Sequence, residues 1–526
     1  MPDVSLTTLD LGLIAAYFAL VLFIGIRVGR GHRDAEDYFL AGRRMAWPLV
    51  GISLFASNIS STTLIGLSGD AYATGISVFN YEWMASVILV FFAIFLIPVY
   101  LQSRVYTMPE FLERRFDARS RYYFSGLTLV GNILIDTAGA LYAGGLLLKL
   151  IVPEVELWLI ILVLSLCAGA YTVLGGLKAV IYTDAIQTTL ILTGALAVTW
   201  LAWREAGGLA PAAAVTPPEM LSLLRPMDDP AMPWTGLLFG VPVLGFYFWC
   251  TNQFMVQRVL SARDEQNGRY GLLLAAALKL PVLFIMVYPG TLARVLYPDL
   301  DNPDLVYPTL LFDLLPAGLT GLVVAGVLAA LMSSIDSTLN SASTLVTMDF
   351  VRKARPALNS HQLMIVGRVT AFCFMLLAAA WAPFIERFDS LFRYLQSVLA
   401  FIAPPVVVVF LLGVLWRGMT ARAAFTSLMA GLALAVAMLT GQLLGVVTLH
   451  FLHIAGLLFA ACLALAVVVS VAAPAPPSAA QIRVTWSRRR FRAEVAAQGR
   501  LPWYRNYLVL SALLLAVTAV LVFIHR

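Results

Sequence analysis

Charge is what this chain of 526 residues lacks: only 12% of it is Asp, Glu, Lys or Arg, while 60% is hydrophobic. A soluble domain carries about 25% charged residues, so a water-exposed globule is excluded. Mean hydropathy is +0.86. Long apolar runs recur from end to end, which makes the bilayer the solvent and not an anchoring point. Cysteine is scarce as well. Cys167, Cys250, Cys373 and Cys462 all fall inside apolar runs without metal-ligand spacing and read as small buried hydrophobes. Histidine is sparse too: His32, His361, His450, His453 and His525 form no H-E-x-x-H pattern and read as surface or interface residues. An intramembrane enzyme lacks its catalytic set, so neither catalysis nor an organic cofactor is expected. No connection between apolar runs is long enough for the signalling domain of a membrane sensor. Composition alone does not separate a carrier from a channel.

What is present is a series of about 14 apolar segments, each near the roughly 20 residues that cross the hydrocarbon core. They lie near 11–29, 47–68, 75–101, 122–148, 156–174, 178–201, 236–258, 272–296, 314–347, 363–387, 391–415, 423–444, 448–472 and 505–524. The pattern predicts an all-α polytopic membrane protein. The first run, Leu11 to about Val28, ends in Arg and Gly without a small-residue cleavage site and reads as a retained span. Gly175-Gly176 predicts a turn between two spans.

The net charge of +6 is explained by topology. Odd-numbered connections, with their flanking span ends, collect Arg27, Arg30, Arg33, Arg43 and Arg44, then Arg104, Arg114, Arg115, Arg119 and Arg121, then Arg258, Arg263 and Arg269. Further on they hold Arg352, Lys353 and the run Arg488-Arg489-Arg490. Even-numbered connections are acidic: Glu154, Glu156, Glu205, Glu219, Asp228, Asp229, Asp299, Asp301, Asp304. Basic loops face the cytoplasm, which places both termini outside a plasma (inner) membrane. The arginine clusters lack a folded basic face, so a nucleic-acid partner is not expected.

Five ionisable residues fall within spans: Glu82, Asp136, Asp184, Lys279 and Asp336. Such groups are functional candidates by default; the alternative for each is a structural ion pair. Glu82, Asp136 and Lys279 together suit a water-filled cavity that binds a hydroxylated solute. The second span carries Ala56-Ser57-Asn58-Ile59-Ser60-Ser61-Thr62-Thr63, a poor lipid-facing helix. The run fits a span that unwinds at mid-membrane and frees carbonyls for a cation. It fits equally a polar face packed on neighbours. In the ninth span, Ala330, Ser333, Ser334 and Ser337 share one helical face, followed by Asn340, Ser341, Ser343 and Thr344. This hydroxyl ladder offers oxygen ligands to a small hard cation such as sodium, or glue between helices.

These residues resemble the sodium:solute symporter family, most closely its sodium/sugar cotransporters. The likeness runs from Asp37-Tyr38-Phe39-Leu40-Ala41-Gly42-Arg43 to the last span. Its landmarks include Asn80-Tyr81-Glu82-Trp83-Met84, Tyr106-Thr107-Met108-Pro109-Glu110-Phe111, Gly175-Gly176-Leu177-Lys178-Ala179-Val180, Thr183-Asp184, Asn252-Gln253, Gln257-Arg258 and Thr347-Met348-Asp349. The resemblance implies a LeuT-type fold with two inverted five-helix repeats. On the span count these are 47–202 and 236–416. A first helix and loop at 1–46, an outer loop at 203–235 and accessory helices at 417–526, with a basic cytoplasmic loop 473–504, complete the chain. It also implies a main sodium site from the carbonyls of Ala56, Ile59 and Ala330 and the hydroxyls of Ser333 and Ser334. Some members hold a second sodium, which here falls on Asp184, Asp336 and Ser337. The carboxylate of Asp336 replaces a hydroxyl or small residue usual in sugar transporters and strengthens the case for a second cation.

Solute contacts transfer in part. Glu82, Lys279 and Gln396 match sugar-contacting positions. The broken helix's glutamine or histidine is Thr63 here, an asparagine of the seventh span is Gly245, and Asp136 stands where an amide is found. The tyrosine that caps the sugar from inside is Phe248, beside Tyr247 and Trp249, and these three are the expected inner gate. The expectation is a sodium-coupled symporter of a sugar or related polyol, working by alternating access. Sialic acid, proline, pantothenate or another carboxylate is the alternative, against which Glu82 and Asp136 weigh.

Overall fold

The computed structural model describes residues 6–29, 34–387 and 391–526. Arg30, His32 and Arg33 lie outside the described residues, and Ser61 and Thr62 are described in backbone only. Ten helices are individually long and apolar enough to cross a membrane, two further spans are helix pairs bent by 54° and 40°, and two apolar helices are shorter. Spans 1 to 6 are Thr8–Ile24, the bent pair Trp47–Asn58 with Thr63–Thr74, Ile76–Ser103, Ala118–Ile151, Leu157–Gly169 and Gly176–Glu205. Spans 7 to 10 are Trp234–Thr251, the bent pair Glu265–Lys279 with Leu283–Leu296, Leu319–Ala354 and Ser360–Ile385. Spans 11 to 14 are Gln396–Leu415, Ala421–Leu443, Phe451–Ala472 and Tyr507–Ile524. They fall one for one on the expected segments. Among the described residues there is no strand, only two isolated bridges. In lipid the backbone must satisfy itself, and the helix does so within one segment.

Where the helices stop is set by local chemistry. The turn between spans 5 and 6 rests on Gly176, at φ 57°. A Cβ there would lie 2.7 Å from the Tyr38 carbonyl, so only glycine fits the left-handed, crowded position. Span 7 was expected to run unbroken to residue 258. It breaks at Asn252, which is extended at ψ 129°, and resumes as Gln253–Leu260. The break follows a π-turn in which the Asn252 N–H donates to Tyr247 O at 3.0 Å. Hydropathy carries no trace of such a break. The basic segment 473–504 folds in part, with helices Ala479–Arg483 and Arg488–Gln498.

Span 9 is the axis of the molecule. Every residue from Val323 to Leu345 is buried, against spans 1, 2, 6 and 10. A helix polar along one face and buried on all sides must find partners for its hydroxyls. Span 4 supplies two: Asn132 donates to Ser341 Oγ at 2.8 Å, and Thr137 and Thr338 share a 2.6 Å bond. Span 14 lies at the periphery on spans 3 and 8, with half of its side chains exposed as lipid contact requires.

The arginine-rich end of span 9 is tied down by charge. Thr107 caps the short helix Met108–Arg115 by accepting from Glu110 N–H, with Pro109 in the first turn, which accounts for that sequence landmark. Asp349 accepts from three donors: the Thr107 hydroxyl at 2.7 Å, the Ser125 hydroxyl at 2.6 Å and the Arg121 guanidinium at 2.6 Å. Arg121 also reaches Glu113 at 2.5 Å, and Lys353 pairs with Glu113. Arg121 was counted among the loop cations; it is buried instead, because Asp349 compensates it. Burial, the largest influence on Glu113, pushes its carboxyl up, but Lys353 and Arg121 together hold it below its ordinary value. Its contribution is therefore present at neutral pH and fades as pH falls through that lowered value. Asp349→Ala leaves Arg121 with Glu113 as its one paired carboxylate among the described residues and should lower stability by about 3 kcal/mol. A thermal midpoint in detergent equal to that of the unchanged protein, across a pH series, would refute this.

Candidate functional site

Span 2 does unwind. Asn58 ends its first half and Ser60 begins the second, with Ile59 between them at φ −81°, ψ 84°. In an uninterrupted helix the Ser60 N–H would donate to Ala56 O; here it donates to Asn58 O at 3.0 Å. Thr63 N–H, the regular partner of Ile59 O, donates to Ser60 O at 3.1 Å. The break thus draws the usual donors away from the two carbonyls assigned to sodium. Thr63 staples the break, its hydroxyl donating to Asn58 O at 2.8 Å. Small β-hydroxyl residues make this possible, because they bond their own backbone in place of the helix.

The broken segment and the hydroxyl ladder meet. Ser337 and Ser57 lie 3.2 Å apart, oxygen to oxygen. One turn earlier, Ser334 Oγ donates to Ala330 O at 3.1 Å, and Ser333 Oγ donates to Asp184 at 2.6 Å. Spans 2 and 9 therefore touch at Ser57 and Ser337, next to the residues assigned to the main site. Hydroxyl and carbonyl oxygens suit a hard cation. No group of three His, Cys, Asp or Glu suited to a transition metal occurs among the described residues.

The proposed second site holds a residue that sequence reasoning placed elsewhere. Arg258, counted as a loop cation, is 1% exposed. Its guanidinium lies 3.3 Å from Asp184 and 2.8 Å from Ser53 Oγ, donates to Phe254 O at 2.7 Å, and bonds Ser337. Ser53 also donates to Asp184. Asp184 is thus ion-paired within the protein, and Ser337 is joined to it through the arginine. Asp336, fully buried on the same helix, lies within electrostatic reach of Arg258. The signal available in the sequence was the Gln257-Arg258 landmark, an arginine too close to the end of an apolar run to be told from a loop cation.

Beside the break opens a cavity of about 150 Å³. Thr63, Glu82, Asp136, Gly245 and Gln396 line it, with Ser57, Asn58, Ser334 and the rings of Tyr81, Phe248, Trp249 and Phe254. Lys279 stands behind the wall. Its ammonium is 2.5 Å from Glu82 and lies over the Trp249 ring at 5.4 Å. Phe248 and Trp249 face the cavity with their rings edge to face at 5.3 Å, whereas Tyr247 is buried in the core behind them. A Cβ on Gly245 would meet Ile88 Cδ1 at 2.4 Å, so this glycine lets spans 7 and 3 approach. Asn58 was not singled out as a solute ligand, yet its Oδ1 is buried at the cavity without a hydrogen-bond donor among the described residues.

Known proteins resemble this chain. The zebrafish (Danio rerio) sodium/glucose cotransporter 4 is 35% identical, over 93% of this chain and 82% of its own length. The sodium/mannose cotransporter of Bos taurus is 36% identical over 92% and 90%. The human (Homo sapiens) sodium/myo-inositol cotransporter 2 is 38% identical over 82% and 70%. Among solved structures, the substrate-bound outward-open state of a Na+-coupled sialic acid symporter superposes with TM-score 0.77 at 22% identity, covering 90% of this chain and 99% of that one. Mhp1, a nucleobase-cation-symport-1 family transporter in a closed conformation, superposes with TM-score 0.57 at 15% identity, over 86% and 99%. The fold is the LeuT-type fold of these transporters. With its residues 38–431 matched by the model of that family, the chain belongs to the sodium:solute symporter family.

Proposed function

We propose that this protein imports a hexose or related polyol, driven by sodium, through alternating access across the plasma (inner) membrane. The observation that carries the reading is the contact of the interrupted span 2 with the serine ladder of span 9, at Ser57 and Ser337, on the edge of a polar cavity. Sodium is held by the carbonyls of Ala56, Ile59 and Ala330 and the hydroxyls of Ser333 and Ser334, and orders the broken segment that forms one cavity wall. Solute then enters, Phe248 and Trp249 close beneath it, and the core moves as a body. The membrane potential contributes about 2.3 kcal/mol per charge per 100 mV. Paired breaks, in span 2 at Ile59 and in span 7 at Asn252, support two inverted repeats over 47–202 and 236–416, since each repeat then opens with a broken helix. The arginine-rich connections support outward-facing termini.

The Asp184 carboxylate, bonded by Ser53 and Ser333, and the buried Asp336 next to Ser337 bring oxygen atoms together, which supports a second sodium there. Carboxylate solutes fit poorly: among the described residues no Lys, Arg or His side chain lines the cavity, and Lys279 is held by Glu82. In proteoliposomes, a sodium gradient should accumulate labelled hexose or inositol uphill, and a potassium gradient should not. Equal accumulation in potassium would refute the assignment, and a strict one-to-one ratio of sodium to solute would remove the second site.

A further inference from the structure

Two carboxyl groups line the cavity, and they stand in opposite situations. Glu82 is matched by the Lys279 ammonium at 2.5 Å. Asp136 has no such match: among the described residues no cation pairs with it and no group donates a hydrogen bond to it. Its neighbours are fully employed. Asn132 and Thr137 both bond span 9, and Thr137 also closes a turn by donating to Asn132 O at 2.6 Å. These residues lie in the π-turn Gly131–Thr137. Such turns are frequent at functional sites, and Asp136 lies in this one and on the cavity wall.

A carboxylate without a counter-charge inside a membrane is costly. A solute that brings the counter-charge relieves that cost on binding and is favoured over one that does not. Among the described residues the lining contains no Lys, Arg or His to serve that purpose. It does contain Tyr81, Phe248, Trp249 and Phe254, whose ring faces attract an ammonium and stack on the apolar face of a sugar. Across the cavity, Glu82 and Gln396 present acceptors and donors for hydroxyls. We propose that the preferred solute carries a protonated primary amine on a hydroxylated frame, an amino sugar or amino polyol, with Asp136 reading the ammonium. This rests on the sodium/sugar reading above and narrows it.

The full chain in proteoliposomes at saturating sodium tests it. Uptake of labelled D-glucosamine is competed with D-glucose, N-acetyl-D-glucosamine and myo-inositol. The free amine should be preferred over its N-acetylated and hydroxyl counterparts by at least about thirtyfold, as expected when a buried charge is left without its partner. In Asp136→Asn that ratio should collapse to within about threefold, whatever the absolute rate, and Asp136→Glu should keep part of it. Neutral sugars competing as well as the amine in the unchanged protein would overturn the proposal. So would an amine preference that survives in Asp136→Asn, the result expected if Asp136 carries a proton. In both cases sodium-driven sugar uptake would persist. Loss of sodium dependence for every solute would instead bring down the underlying reading as well.

Discussion

Ser334→Ala should raise the sodium concentration needed for half-maximal uptake by about tenfold or more, and the Ser333→Ala, Ser334→Ala double variant should abolish sodium-driven uptake. A hydrogen bond or ligand contact to a charged group is worth about 1.5–3 kcal/mol, and 1.4 kcal/mol is a factor of ten. The two serines separate cleanly. Among the described residues Ser334 Oγ bonds only the carbonyl of Ala330 one turn below, at 3.1 Å, so its removal takes away one oxygen and little else. Ser333 Oγ serves Asp184 at 2.6 Å, so its removal also strips a donor from a buried carboxylate and should lower thermal stability, which Ser334→Ala should not. Sodium titrations of uptake, paired with thermal midpoints with and without sodium, distinguish the two. An unchanged sodium requirement in Ser334→Ala would place the ion elsewhere.

Lys279→Met should destabilise the protein by about 3–5 kcal/mol and eliminate uptake, because it leaves Glu82 as an uncompensated buried charge. Lys279 is fully buried and Glu82 is 6% exposed. The revealing variant is the double one. Glu82→Gln with Lys279→Met removes both charges together and should recover most of the thermal stability, while uptake stays absent because Glu82 is also a solute acceptor on the cavity wall. Recovery of uptake in the double variant would make the pair purely structural. Failure to recover stability would mean that the ammonium also depends on the Trp249 and Phe55 rings, which lie 5.4 and 5.8 Å from it.

Span number and order were legible because lipid forces the signal: a segment that crosses must be long and apolar. The break in span 2 was legible because small hydroxylated residues crowd around Ile59. Asn252 gave no comparable sign, since one extended residue between apolar neighbours leaves hydropathy unchanged. Arg258 was misplaced for a related reason. Charge counting credits an arginine at a span end to the adjoining loop, and only its partners Asp184, Ser53 and Ser337, far apart in the chain, bring it inside. Asp136 was read as one of three charges sharing a cavity. That two of those charges cancel while the third stands apart depends on which side of span 4 a π-turn presents, which the order of residues does not disclose.

The arginine of span 7 touches Ser53 of span 2, Asp184 of span 6 and Ser337 of span 9 at once. Four helices from distant stretches of the chain are knotted by a single planar head group. Any rearrangement that slides one of them past the others must first untie that knot in a medium with no water to soften the parting. Carrier speed would then be governed less by how fast cargo arrives than by how readily one positive head group changes hands.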